Sequence, residues 1–281
     1  MNKTILTLGA LLLAAIAHSQ AQAEGHKLTK VWESDATLKT PESVYFDAKR
    51  KVLYVSNIDG KPWEADGKGS IGKVGVDGKV IAAEWVTGLD CPKGMALSEN
   101  GKLLYVGDCG GLVVIDVDTG KIKEKIAVEG GLLNDVVRDK DTIYASDTNN
   151  KKVYAFKDGK PSVLLDDKVL KGPNGLQVHK GALYVLDNDS LNRVEADKSL
   201  KVIATGMPGG ADGLENAKGD DFLVTVWSGA LWYVHGDGSK ELLFDGKAAS
   251  TNTADIGWDA KSGTVYVPTF FKNTVIAFKV D

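Results

Sequence analysis

Six polar residues recur along the chain at a near-constant interval: Glu42, Lys93, Asn134, Asn174, Asp212 and Asp255, separated by 51, 41, 40, 38 and 43 residues. Each sits at the head of a short apolar run, as in Pro41-Glu42-Ser43-Val44, Pro173-Asn174-Gly175-Leu176 and Ala254-Asp255-Ile256-Gly257. If the repeats close around an axis, these side chains converge. Glu, Asn and Asp then offer oxygen ligands to one hard divalent cation, Ca²⁺ first, with Mg²⁺, Mn²⁺ or Zn²⁺ as alternatives. Carboxylates gathered without a cation would have to take up protons. The same residues can equally serve as polar strand starts bonded to the backbone of adjoining loops, and the spacing leaves both readings open.

The elements that must position them are strands. After each polar residue comes a second β-branched or aromatic run, such as Lys51-Val52-Leu53-Tyr54-Val55, Ala182-Leu183-Tyr184-Val185 or Thr264-Val265-Tyr266-Val267. Two further runs follow in each repeat, joined by Asp-Gly turns such as Asp77-Gly78, Asp158-Gly159 and Asp237-Gly238. Four antiparallel strands per unit of about forty residues is the signature of a propeller blade. The expected fold is all-β, a six-bladed β-propeller over residues 24–281. A β-sandwich would not return a polar residue in phase six times. The last repeat stops at its third strand, Thr274 to Phe278, and an unassigned strand, Leu28 to Trp32, precedes the first repeat. The reading predicts that this N-terminal strand completes the sixth blade, closing the ring and leaving no free edge.

This topology puts the connection after each second strand at the same rim as the polar ring. The first repeat has its extra length there, from Asn57 to Ser70, so Trp63 is expected near the mouth as a substrate contact, with a passive insertion as the alternative. Lys93 and Asp255 are likewise expected to face a ligand. Asp108, Asp147 and Asp187 are expected to cap hairpin turns. Cys91 and Cys109, the two cysteines of the chain, flank the first two strands of blade two, and antiparallel pairing brings them to one rim as an expected disulfide.

Other chemistries fail on inspection. Gly67 to Gly72 matches a glycine-rich nucleotide motif, but no helix follows, and Val74 stands where a phosphate-binding loop needs Ser or Thr. The histidines, His18, His26, His179 and His235, show no metal-ligand spacing, and no nucleophile elbow is present. With 34 Lys+Arg against 38 Asp+Glu, interspersed, no basic stripe offers itself to nucleic acid. Lys3, the apolar run Ile5 to Ala17 and Ala21-Gln22-Ala23 form the pattern of a secretory signal peptide over residues 1–23. That run is shorter than the roughly twenty residues a membrane span needs. A periplasmic or secreted monomer with a small-molecule ligand is the expectation.

Thr40-Pro41-Glu42-Ser43, Asn134-Asp135, Gly172-Pro173-Asn174-Gly175-Leu176, Ala211-Asp212-Gly213-Leu214 and Val226-Trp227-Ser228-Gly229 together resemble the motifs of the senescence marker protein/gluconolactonase/luciferin-regenerating enzyme family. The resemblance runs through the mature chain in repeat order. It implies a divalent cation held by Glu42, Asn174 and Asp212, with Asn134 touching substrate or metal and Asp212 handling the proton of a water. Leu132 departs from the Arg usual two residues before the third-blade Asn in sugar-lactone enzymes, which points away from aldonolactones. Two functions follow: a metal-dependent hydrolase of a small lactone or ester, or a non-catalytic binding or scaffold propeller with a structural metal.

Overall fold

In the computed structural model, which describes residues 25–281, the β-branched and aromatic runs form strands. The leader expected over residues 1–23 lies outside the described residues. After β1 (Leu28–Glu33), blade one is β2 (Pro41–Asp47), β3 (Val52–Asn57), β4 (Gly69–Gly75) and β5 (Val80–Leu89). Blade two is β6 (Met95–Leu97), β7 (Leu103–Asp116) and β8 (Ile122–Leu132). Blade three is β9 (Val136–Asp139), β10 (Thr142–Asp147), β11 (Lys152–Lys157) and β12 (Lys160–Leu165), and blade four β13 (Pro173–His179), β14 (Ala182–Asp187), β15 (Ser190–Val194) and β16 (Leu200–Ala204). Blade five is β17 (Ala211–Lys218), β18 (Asp221–Val226), β19 (Ala230–Val234) and β20 (Lys240–Asp245), and blade six β21 (Gly257–Asp259), β22 (Thr264–Pro268) and β23 (Val275–Val280).

Blade two has three strand segments because β7 doubles back at Gly110 and Gly111, where φ is 90° and 150°. Those angles suit glycine and no other residue comfortably. The far end of the fold-back is held by the Val117 N–H donating to the Lys102 carbonyl, 2.9 Å.

Closure occurs as the strand count requires. β1 pairs antiparallel with β23, Leu28 opposite Val280 and Trp32 opposite Ala277, so blade six has the order β1-β23-β22-β21. The ring is therefore sealed by both ends of the described chain.

Side-chain alternation builds the core between blades rather than within them. On β3, Tyr54 packs toward blade two with Ile71, Leu104 and Val106, while Leu53 and Val55 pack toward blade six with Tyr266 and Val275. Both faces of such a strand are covered, which is why its sequence is a continuous apolar run instead of an alternating one. The blades meet most closely at the axis. A Cβ on Gly94 would stand 2.5 Å from the Asp135 Cα, and one on Gly213 2.9 Å from the Asp255 Cα. Glycine after Lys93 and after Asp212 is thus a condition for neighbouring first strands to touch.

Candidate functional site

Four of the ring residues are held from below by buried side chains at the ends of the second strands. Asn57 Oδ1 accepts from the Lys39 N–H at 3.2 Å, ahead of Glu42. Asp108 Oδ1 accepts from the Cys91 N–H at 2.7 Å and the Cys109 N–H at 3.0 Å, ahead of Lys93. Asp147 Oδ2 accepts from the Leu132 N–H at 3.1 Å, ahead of Asn134. Asp187 Oδ1 accepts from the Lys171 and Gly172 N–H groups at 2.9 and 2.6 Å, ahead of Asn174. These aspartates were expected to cap hairpin turns. Asp147 does so in part, through the Asn150 N–H, but their shared role is to hold the segment entering each first strand. In blade two a Cys91–Cys109 disulfide, with Cα atoms 5.5 Å apart, reinforces the same junction.

Glu42, Lys93, Asn134, Asn174 and Asp212 line one cavity of about 240 Å³ at the mouth of the channel. The expected place of Asp255 in this ring is corrected. Ser43 and Asp255 form a parallel bridge, and the Asp255 N–H donates to the Glu42 carbonyl at 2.9 Å. Asp255 thus lies level with Ser43, one residue deeper, and Ala254 takes the sixth place at the mouth. A one-residue slip in a strand turns a side chain the other way. Asp255 consequently faces a second chamber of about 290 Å³ further along the channel, with Asp135 and Glu215, and its Oδ2 accepts from Ser43 Oγ at 2.6 Å.

At the mouth, Asn174 Nδ2 donates to Asp212 Oδ1 at 2.9 Å. Asn134 Nδ2 donates to Thr148 Oγ1 at 2.9 Å, and Thr148 donates to the Pro173 carbonyl at 2.6 Å. Two buried oxygens have no hydrogen-bond partner, Glu42 Oε2 and Asn174 Oδ1. Burial pushes the Glu42 carboxyl up to about 7, opposed by the Lys93 charge and assisted by that of Asp135. Burial and the nearby Glu42 push Asp212 well above the usual carboxylate range. Burial lowers Lys93 against the pull of Glu42 and Asp212. Lys93 is 1% exposed, makes no ion pair among the described residues, and lies over the Trp63 ring with Nζ 4.3 Å from its centroid.

Orphaned oxygens on a glutamate and an asparagine beside an aspartate are the donor chemistry of a hard divalent cation. The residues present fit one, and a cation there would satisfy both orphans and favour the ionised carboxylates.

The segment 58–68 brings Pro62 and Trp63 over the cavity. Trp227 and Phe270 line the opposite side, packed edge to face with ring centroids 5.6 Å apart. Thr148 and Phe270 were missed by the sequence reading: Thr148 follows the recurring Asp147, but the residue type there changes from blade to blade, and Phe270 lies in the connection between β22 and β23. Leu132 does not line the cavity. A larger groove of about 610 Å³ between blades two and three shares no residue with the ring.

The class defined by this geometry is the six-bladed β-propeller with a polar, aromatic-roofed cavity at the mouth of its channel. No family profile and no curated protein matches the chain by sequence. Among solved structures it is similar to a gluconolactonase from Xanthomonas campestris, with TM-score 0.69 and 16% identity over 90% of this chain and 89% of that one. It is also similar to a luciferin-regenerating enzyme, TM-score 0.65 and 14% identity over 91% and 95%. A streptogramin B lyase matches with TM-score 0.66 and 12% identity over 91% and 98%. At these identities the likeness is one of fold.

Proposed function

We propose that this chain is an exported, divalent-cation-dependent hydrolase of a small lactone or ester with an apolar or aromatic body. The observation that carries this reading is the pair of unpaired buried oxygens, Glu42 Oε2 and Asn174 Oδ1, beside Asp212 in one cavity. Held by Glu42, Asn174 and Asp212, the cation, Ca²⁺ by preference, would polarise the substrate carbonyl and acidify a water.

The chain's own groups supply the rest. Asn174 holds Asp212 Oδ1, leaving Oδ2 to accept the proton of the attacking water and return it to the departing alkoxide oxygen as the acyl C–O bond breaks. The buried Lys93 ammonium, fixed by Trp63, adds positive charge facing the tetrahedral oxyanion. Asn134, oriented by Thr148, is a substrate hydrogen-bonding group. Pro62, Trp63, Trp227 and Phe270 enclose an apolar body, so substrate preference rests on these rings and not on Leu132. Export rests on the leader pattern of residues 1–23.

The unpaired Lys93 ammonium favours one other reading, a binding propeller in which Lys93 and the ring amides hold an anionic or carbonyl group without turnover. Metal analysis followed by hydrolysis of aryl-substituted and sugar lactones, with and without chelator, separates the two. Hydrolysis lost on chelation, metal occupancy lowered in Glu42→Gln, and kcat lowered roughly 10²–10⁴-fold in Asp212→Asn with an unchanged fold are expected. A metal-replete protein inactive on every lactone and ester, or a fully active Asp212→Asn variant, would overturn the hydrolase.

A further inference from the structure

At the end of the propeller opposite the mouth, a side chain from the N-terminal segment meets two from blade five. His26 precedes β1, His235 follows β19 and Glu241 lies on β20. His26 Nδ1 and His235 Nε2 both approach one oxygen, Glu241 Oε1, at 2.9 and 2.7 Å, and the three ligand atoms lie within 4.8 Å of one another. The His26 ring stacks on Tyr233, centroids 3.6 Å apart. The His26 N–H donates to Glu241 Oε2 at 2.7 Å, and a Cβ on Gly25 would stand 2.6 Å from that oxygen, so glycine lets the chain run this close to the carboxylate. His235 Nδ1 is 3.8 Å from Asp221 Oδ2. The three ligand side chains are between one quarter and one third exposed, open to an ion from solvent.

We propose that His26, His235 and Glu241 form a transition-metal site, for Zn²⁺ or a cation of similar preference, that staples the N-terminal segment to blade five. Two imidazoles and a carboxylate suit zinc, and tetrahedral binding at about 2.1 Å per ligand needs only a small outward shift of the three atoms. With Nε2 on the metal, the His235 proton would sit on Nδ1, whose neighbouring carboxylate oxygen, Asp221 Oδ2, is 3.8 Å away and accepts from Tyr233 Oη, so a carboxylate–histidine–metal bond would need a further approach of the two groups. A water completes four-coordination. The site differs from the mouth in donor chemistry, since Ca²⁺ prefers oxygen alone. It sits two residues before the strand that closes the ring, so metal there opposes the fraying of β1.

The test uses metal-stripped full-length mature protein with Zn²⁺ and Co²⁺ as probes. Cu²⁺ and Ni²⁺ are avoided, because a chain cleaved before Glu24 would carry an amine two residues from His26 that chelates them unaided. Zn²⁺ at about a hundredfold excess over its Kd is expected to raise Tm by roughly 5–10 °C. Co²⁺ should give the visible absorption of a four-coordinate nitrogen-ligated ion, and hydrogen exchange of β1 should slow. All three responses should vanish in His235→Ala and Glu241→Gln and persist in Glu42→Gln. The Co²⁺ spectrum, read at 20 °C, keeps the result decisive if a variant melts early. No Tm rise and no Co²⁺ band in the wild type, or responses unchanged in His235→Ala and Glu241→Gln, would overturn the proposal and leave a hydrogen-bonded clasp.

Discussion

Glu215 shows how far one side chain in the channel departs from its behaviour in water. Its Oε2 accepts from Gln177 Nε2 at 2.9 Å. Burial pushes its carboxyl up to about 8, assisted by the Asp135 charge and opposed by the Gln177 bond. Between its ordinary value of 4.5 and about 8, the folded protein keeps a proton that the unfolded chain has released. The resulting stability is complete below pH about 4.5 and is lost as pH rises through about 8. The wild-type Tm should fall from pH 6 to pH 9, and Glu215→Gln, which keeps the shape and cannot ionise, should flatten that fall. Equal slopes in the two proteins would mean that Glu215 is charged in the fold. None of this was legible in the sequence, where Glu215 is one acidic residue among many.

At the scale of elements, four of the five ring residues, Glu42, Lys93, Asn134 and Asn174, are aimed by the polar side chain at the end of the second strand of their own blade. Blade two adds a covalent tie, Cys91–Cys109, beside Asp108. The native protein should show no reactive thiol until it is reduced. Replacing both cysteines by serine should cost roughly 3 kcal/mol, measured by denaturant unfolding at neutral pH. A double variant as stable as the wild type would show that Asp108 alone suffices to hold the junction. The cysteine placement could be read from the chain because antiparallel pairing of adjacent strands is local. The aspartate clamps were half legible: their turn-adjacent positions were recognised, but not their burial or that they hold the incoming strand.

At the scale of the whole molecule, stability depends on closure. β1 contributes Trp32, whose Nε1 donates to the Val76 carbonyl at 2.8 Å and whose ring packs into the core between blades six and one. Without it β23 is an open edge. Deleting residues 25–33 should lower Tm on the order of 10 °C and promote association through that edge, read by calorimetry and light scattering. A truncated monomer with the full Tm would show that three strands complete the sixth blade. The deletion also removes His26, so the comparison belongs in metal-free buffer.

The sequence by itself determined the strands, their grouping into six blades, the closing role of Leu28 to Trp32 and the gathering of Glu42, Lys93, Asn134, Asn174 and Asp212. All of these follow from alternation, turn chemistry and a period, which are local and repeat. Only the tertiary structure decided the rest. Ala254-Asp255 admits two registers one residue apart, and the bridge between Ser43 and Asp255, made across the closure of the ring, selects the one that sends Asp255 down the channel. Trp227 and Phe270 meet over the mouth from different blades. His26 and Glu241, 215 residues apart, become neighbours because the N-terminal strand returns to the end of the chain, and no spacing along the sequence encodes a contact that exists only once the ring has closed.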